Sequence, residues 1–325
     1  MRRVSRPERA PHEQRMRVME ALFVPLSLVA GGLLAVQAGA NTQLSKATGS
    51  PFAATTIQVV IAVALLLVVA AATGTIFAIR GLPDVPWWHA TGGIATAIYV
   101  ASTILLFPRL GAVVAVGLFI TGQMLASLGL DTFGVLGVLR QPADAATIIG
   151  TIAVLVGAAA IVFGQKDATR ELSVSKLGWI LLALLAGAVL PVQGAINGLL
   201  RHDIGAPFVV GAISFAVATL SMVLVLLATL VVTDAPKPQL SGLARMPWWG
   251  WLGAFCGATY VTTVFTAIPV IGTAAAVGLT VAGQQIASLF VDRYGWFRLP
   301  QREISALRTA GVALLLIGVG VIQMF

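Results

Sequence analysis

The chain has 325 residues, of which 58% are hydrophobic and only 10% charged, with a formal net charge of +8. Soluble domains carry roughly a quarter charged residues, so this composition excludes a soluble globular protein and requires an integral membrane one. The basic residues lie in an N-terminal stretch and in short connections, as membrane topology demands, which excludes a nucleic-acid-binding reading.

Residues 1–17 hold Arg2, Arg3, Arg6, Arg9, Arg15 and Arg17 among prolines and acids, and read as a flexible cytoplasmic tail rather than a cleaved signal. A spanning helix needs about 20 mostly apolar residues. Runs of that kind are predicted at about 19–40, 53–79, 89–107, 111–131 and 145–164. A charged connection, 165–176, follows, and five further runs cover about 177–197, 207–232, 248–267, 271–291 and 305–325. Gly49-Ser50-Pro51 and Gly205-Ala206-Pro207 mark helix starts, where a first-turn proline is tolerated. Phe107-Pro108 and Ile268-Pro269 mark ends, and Trp87-Trp88 and Trp248-Trp249 have the character of interfacial anchors. Cys256 is the single cysteine, so no intrachain disulfide forms. His12, His89 and His202 are scattered, with no metal-ligand spacing, and no cofactor or metal is expected.

The chain repeats itself. At an offset of 156, Gln37, Asn41, Leu44, Pro51 and Phe52 meet Gln193, Asn197, Leu200, Pro207 and Phe208. At an offset of 161, Pro86-Trp87-Trp88, Tyr99, Pro108, Gly122-Gln123, Ala126-Ser127 and Asp131 meet Pro247-Trp248-Trp249, Tyr260, Pro269, Gly283-Gln284, Ala287-Ser288 and Asp292. One loop absorbs the difference. The predicted organisation is therefore a basic tail (1–17), a first five-helix repeat (18–164), a connection (165–176) and a second five-helix repeat (177–325). Five is odd, so the second repeat should enter the membrane inverted, as in secondary transporters with a site between the halves. Both termini then share one side. The tail arginines place that side in the cytoplasm, although the loops alone would vote the other way.

The pattern V-Q-x-x-x-N-x-x-L, the G-x-P-F helix start, the P-W-W entry, the P-x-x-G break and the G-Q-x-x-A-S-x-x-x-D segment together resemble the YdcZ family, a branch of the drug/metabolite transporter superfamily, across residues 21–325. The resemblance implies an all-α, ten-helix inner-membrane transporter of the EamA-like type, in which two copies of a five-helix unit are fused. It names no substrate. The acidic first-helix residue of the small multidrug relatives has no good counterpart here: Glu20 sits at the helix start, and its repeat partner is Lys176.

Four amides head the candidate substrate site. Gln37 and Asn41 lie one helical turn apart and share a face, as do Gln193 and Asn197. Amides donate and accept, so they suit a neutral or zwitterionic solute. Pro191 is expected to break the sixth helix and free backbone groups beside Gln193. The competing reading is that these amides bond helix to helix. Gln123, Ser127 and Asp131, with Gln284, Ser288 and Asp292, form a second matched face. The glutamines are candidate binding groups. The aspartates either carry a coupling proton, as intramembrane acids can, or act structurally on loop amides or an arginine. Tyr99 and Tyr260 either line the pathway or bond to neighbouring helices. The expected protein is a non-enzymatic plasma-membrane transporter of a small organic molecule, an exporter working by alternating access. It would be a monomer or homodimer, with protons as one candidate coupling ion. A non-transporting scaffold of the same fold is the alternative.

Overall fold

The computed structural model describes residues 11–110, 112–141, 143–163, 177–233, 236–301 and 303–324, and all regular structure in them is helical. The α-helices are α1 (Pro11–Thr48), α2 (Pro51–Ala72), α3 (Ile94–Leu110), α4 (Ala112–Phe133), α5 (Ala145–Phe163), α6 (Leu177–Ile204), α7 (Pro207–Val232), α8 (Leu252–Ile271), α9 (Thr273–Tyr294) and α10 (Ala306–Met324). Short 3-10 segments, Trp87–Gly93 and Trp248–Trp251, lead into α3 and α8. Among the described residues, eight helices are long and apolar enough to cross a membrane; α5 and α10 carry shorter apolar stretches. The predicted connection 165–176 and tail residues 1–10 lie outside the described residues.

Two local expectations are corrected. The first helix does not end near residue 40 as predicted but continues through Val36–Leu44 to Thr48. No proline follows Pro25 in α1, and the chain turns at Gly49, whose φ is 69°. Ser50 then caps α2 by accepting the Ala53 N–H at 3.3 Å. Nor does Pro191 break the sixth helix, since α6 runs unbroken from Leu177 to Ile204. A proline forfeits one backbone bond. In apolar surroundings, opening further turns would leave more polar groups unpaired, so the helix persists.

The packing has a two-fold pattern. α1 lies against α8 and α9, while α6 lies against α3 and α4; α2 pairs with α7, and α5 with α10. Replacing every helix by its repeat counterpart reproduces that set. The closest crossings match too. A Cβ placed on Gly31 would sit 1.9 Å from the Thr280 carbonyl oxygen, and one on Gly283 1.8 Å from that of Leu28. The counterparts Gly187 and Gly122 would meet the Phe119 and Leu184 oxygens at 2.1 and 2.0 Å. Only glycine permits such backbone contact, the usual means of helix association in lipid. α5 and α10 run antiparallel, with Gly150 against Gly318 and Gly157 against Gly311. The outer face is apolar: Leu220, Leu224 and Val231 on α7 are exposed.

Candidate functional site

Each Gln/Asn pair lies inside its helix, against the other repeat. On α1, the Asn41 side-chain amide donates to the Gln58 carbonyl oxygen on α2. The Gln58 amide in turn donates to the Gly253 backbone oxygen at 3.1 Å. The Asn41 and Gln37 side chains pack directly on Gly253 and Gly257 of α8. On α6, Asn197 Nδ2 donates to Ser214 Oγ on α7 at 3.0 Å, and Gln193 Nε2 donates to Thr96 Oγ1 on α3 at 3.2 Å. Asn197 Oδ1 rests on Gly92, where a Cβ would come within 2.2 Å. The two clusters are counterparts residue by residue: Gln58 with Ser214, Gly253 with Gly92, and Gly257 with Thr96.

Three carbonyl oxygens in these clusters, Gln37 Oε1, Asn41 Oδ1 and Asn197 Oδ1, are buried without a hydrogen-bond partner. Unsatisfied buried acceptors are costly, so the clusters hold unspent capacity to accept hydrogen bonds. The two amide pairs are not brought face to face, because α1 and α6 are not among the closely packed helix pairs.

The tyrosines occupy the middle of α3 and α8. The Tyr99 ring packs on Phe119 of α4 with centroids 5.2 Å apart. Tyr260 lies close to Thr280 of α9 and to Tyr99 of the other half. Phe119 and Thr280 are themselves repeat counterparts. Each tyrosine is only partly buried, whereas Gln123, one turn beyond Phe119, is buried and Gln284, one turn beyond Thr280, is half-buried. Ser127 Oγ donates back to the Gln123 backbone oxygen at 2.7 Å, and Ser288 Oγ to that of Gln285 at 2.8 Å.

The matched aspartates have different partners. Asp131 at the end of α4 accepts the Thr273 and Ala274 backbone N–H groups of α9 at 2.8 and 2.6 Å. Those orphan amides, at the positive end of the helix dipole, are suited to a carboxylate. Asp292 instead pairs with Arg308 at 2.6 Å, and the same Nη2 reaches Ser288 Oγ at 3.2 Å. Arg308 is 4% exposed. Single-residue reading missed this arginine, because it sits at the polar start of α10 and resembles a loop charge. It also missed the pair of His89, before α3, and Asp203, near the end of α6, joined Nδ1 to Oδ2 at 2.5 Å. Those residues lie 114 positions apart, and only the fold brings them together.

A family model described as "Putative inner membrane exporter, YdcZ" matches the chain twice, over residues 22–160 and 178–321. One solved crystal structure is similar in fold, with a TM-score of 0.64 at 17% identity, covering 92% of this chain and 98% of that one. No curated protein matches. The two family matches fall on the two halves that pack on one another through the amides, tyrosines and glycines described above. The chain therefore belongs to the YdcZ family of the drug/metabolite transporter superfamily, with the family's unit present twice.

Proposed function

We propose that this protein exports a small organic solute across the plasma membrane by alternating access. Ten spans form two inverted five-helix halves that rock about a central polar site, with both termini in the cytoplasm. Two features support the topology. Counterpart helices α5 and α10 cross antiparallel at Gly150/Gly318 and Gly157/Gly311. At 19 residues each, they rise about 28 Å, close to the hydrocarbon thickness of a bilayer.

The observation that carries the function is the place of the matched polar residues: Gln37/Gln193, Asn41/Asn197 and Tyr99/Tyr260 all sit where one half packs on the other. Rocking must remake those contacts, and a solute held there would be handed from one half to the other. Tyr99 and Tyr260 hold the centre, with Gln123 and Gln284 one turn away on α4 and α9 (relative to Phe119 and Thr280). The partnerless oxygens of Gln37, Asn41 and Asn197 favour a neutral or zwitterionic solute with N–H or O–H donors. Asp131 and Asp292 act structurally, as a helix cap and an ion-pair partner.

Reconstitution into proteoliposomes with a panel of labelled amines, amino acids and polyols tests this reading. Tyr99→Phe and Tyr260→Phe should each cut transport of the accepted solute at least tenfold while leaving a monodisperse protein. Wild-type rates in both variants, or no solute moved by the wild type, would remove the central site or the transport function respectively.

A further inference from the structure

The contact between α6 and the Trp87–Gly93 segment is one of the two equivalent seams between the halves. The other joins α1 to Trp248–Trp251. On the first seam His89 Nδ1 lies 2.5 Å from Asp203 Oδ2, with the imidazole buried and the carboxylate a quarter exposed. The repeat counterparts on the second seam are Gly250 and Ala47. There Gly250 packs on Met246, and Ala47 lies against Gly242 of the preceding Ser241–Arg245 turn, where a Cβ would come 2.2 Å from the Ala47 oxygen. The seams share a backbone design, but among the described residues only one has a proton-binding pair across it.

Asp203 stands in the last turn of α6, where the helix dipole disfavours a negative charge. A protonated imidazole offsets that charge. A neutral one donates a weaker, uncharged hydrogen bond. His89 is three residues before Gly92, on which Asn197 Oδ1 rests, so the pair sits at the edge of the second amide cluster.

The other charged groups nearby are few. On α6 these are Arg201, whose Nη1 donates to the Thr266 backbone oxygen at 3.3 Å, and exposed His202, 3.6 Å from Asp203 Oδ1. The Ile76–Asp84 segment packed on α6 carries Arg80, stacked over Phe77, and Asp84. α7 carries no charged residue, and the one on α3 is Arg109, in its last turn. His89 itself meets the edge of Trp88, with ring centroids 4.0 Å apart.

We infer that His89 and Asp203 form a proton-operated latch on one of the two seams between the halves. A proton held between them pins the start of α3 to the end of α6, and its loss frees that seam, while the opposite seam does not respond to protons. The inference rests on the alternating-access reading for its role in transport. The latch itself needs no transported solute, since a ligand shifts an equilibrium by binding one state better than the other, and here the ligand is the proton. A charged imidazole beside the Asp203 carboxylate holds the seam, so acid favours closure and alkali favours opening.

Backbone hydrogen exchange of the full chain in phosphatidylethanolamine/phosphatidylglycerol nanodiscs tests it. After correction for intrinsic pH dependence, amides of Trp87–Gly93 should be at least fivefold better protected at pH 5.5 than at pH 8, and those of Trp248–Trp251 equally protected at both. His89→Gln and Asp203→Asn should each abolish the pH dependence, and His202→Gln should keep it. Histidine-15N NMR of the same samples should show a titrating imidazole signal, identified as His89 by its loss in His89→Gln while the signal of exposed His202 remains. If that variant does not fold, Asp203→Asn carries the test. PH-independent protection of both seams, or retention of the effect in Asp203→Asn, overturns the latch and leaves the transport reading untouched. Absence of transport in the solute panel removes its role but not the exchange result.

Discussion

Asp131 and Asp292 close the same G-Q-x-x-A-S-x-x-x-D motif in the two halves, yet they have different work. Asp131 caps α9 through two backbone amides. Asp292 holds the Arg308 guanidinium, and the position matching Arg308 in the first half is Thr147. The helix caps nearby show the same drift. Asp144 Oδ1 accepts the Thr147 N–H at 2.7 Å, and at the counterpart positions Ser305 Oγ accepts the Arg308 N–H at 3.2 Å. Duplication has kept the backbone design of the two halves, because glycine-on-carbonyl crossings leave no room for alternatives. Polar partners have diverged, because a carboxylate is satisfied equally by amides or by a guanidinium. The halves are alike in how they pack and unlike in their charge chemistry.

Substitutions at counterpart positions test that contrast. The largest effect belongs to the shared packing. Gly283→Leu and Gly122→Leu drive a side chain into the Leu28 and Leu184 carbonyls, and overpacking costs about 1–3 kcal/mol or more. Both should lose the monodisperse species on size exclusion, and tolerance in one half alone would end the claim of equivalent crossings. Next comes Asp292→Ala, which leaves a buried Arg308 without its carboxylate, a loss of up to about 3–5 kcal/mol in thermal unfolding. Pairing it with Arg308→Met should restore most of that, and failure to do so would place the stability elsewhere.

Asp131→Ala strips two amides of their acceptor and should cost about 1–3 kcal/mol by the same measurement, with no arginine substitution able to rescue it. Asn197→Ala frees Ser214 Oγ and should cost only about 0.6–1.7 kcal/mol, the range for hydrogen bonds between membrane helices. Its loss of transport should therefore exceed its loss of stability. The smallest effect is at the caps. The Thr147 backbone N–H holds the exposed Asp144 carboxyl below the usual carboxylate range. A depressed carboxyl stabilises above its unfolded-state value and loses that contribution as the pH falls through its folded one. Unfolding curves between neutral pH and pH 3 should show that acid sensitivity reduced by Asp144→Ser, with Ser305→Ala producing no pH dependence of its own.

Much of the fold was legible before any coordinates. Apolar runs of spanning length and two offset sets of matching residues marked helices, halves and family. The boundaries near Gly49, Pro51, Gly205 and Pro207 followed from local turn chemistry. What misled was local punctuation in an apolar setting. Pro191 reads as a break in isolation, but within a bundle the cheapest response is one lost backbone bond. The predicted end near residue 40 rests on the polar residues that follow the apolar run, whereas Gln37 and Asn41 lie inside α1 and pack sideways on α8, with Asn41 bonded to Gln58 of α2.

Composition and periodicity report directly on the surrounding medium, and repeats report on themselves, so a helical membrane protein of two related halves is readable from the residues alone. Which residues answer one another is settled in the assembled bundle. Asn41 meets Gly253, Asp131 meets the start of α9, and His89 meets Asp203. Those contacts join residues more than a hundred positions apart, and no local signal encodes them. Their partners are chosen by how close the glycine crossings let the helices come, and that distance exists only once the bundle has assembled.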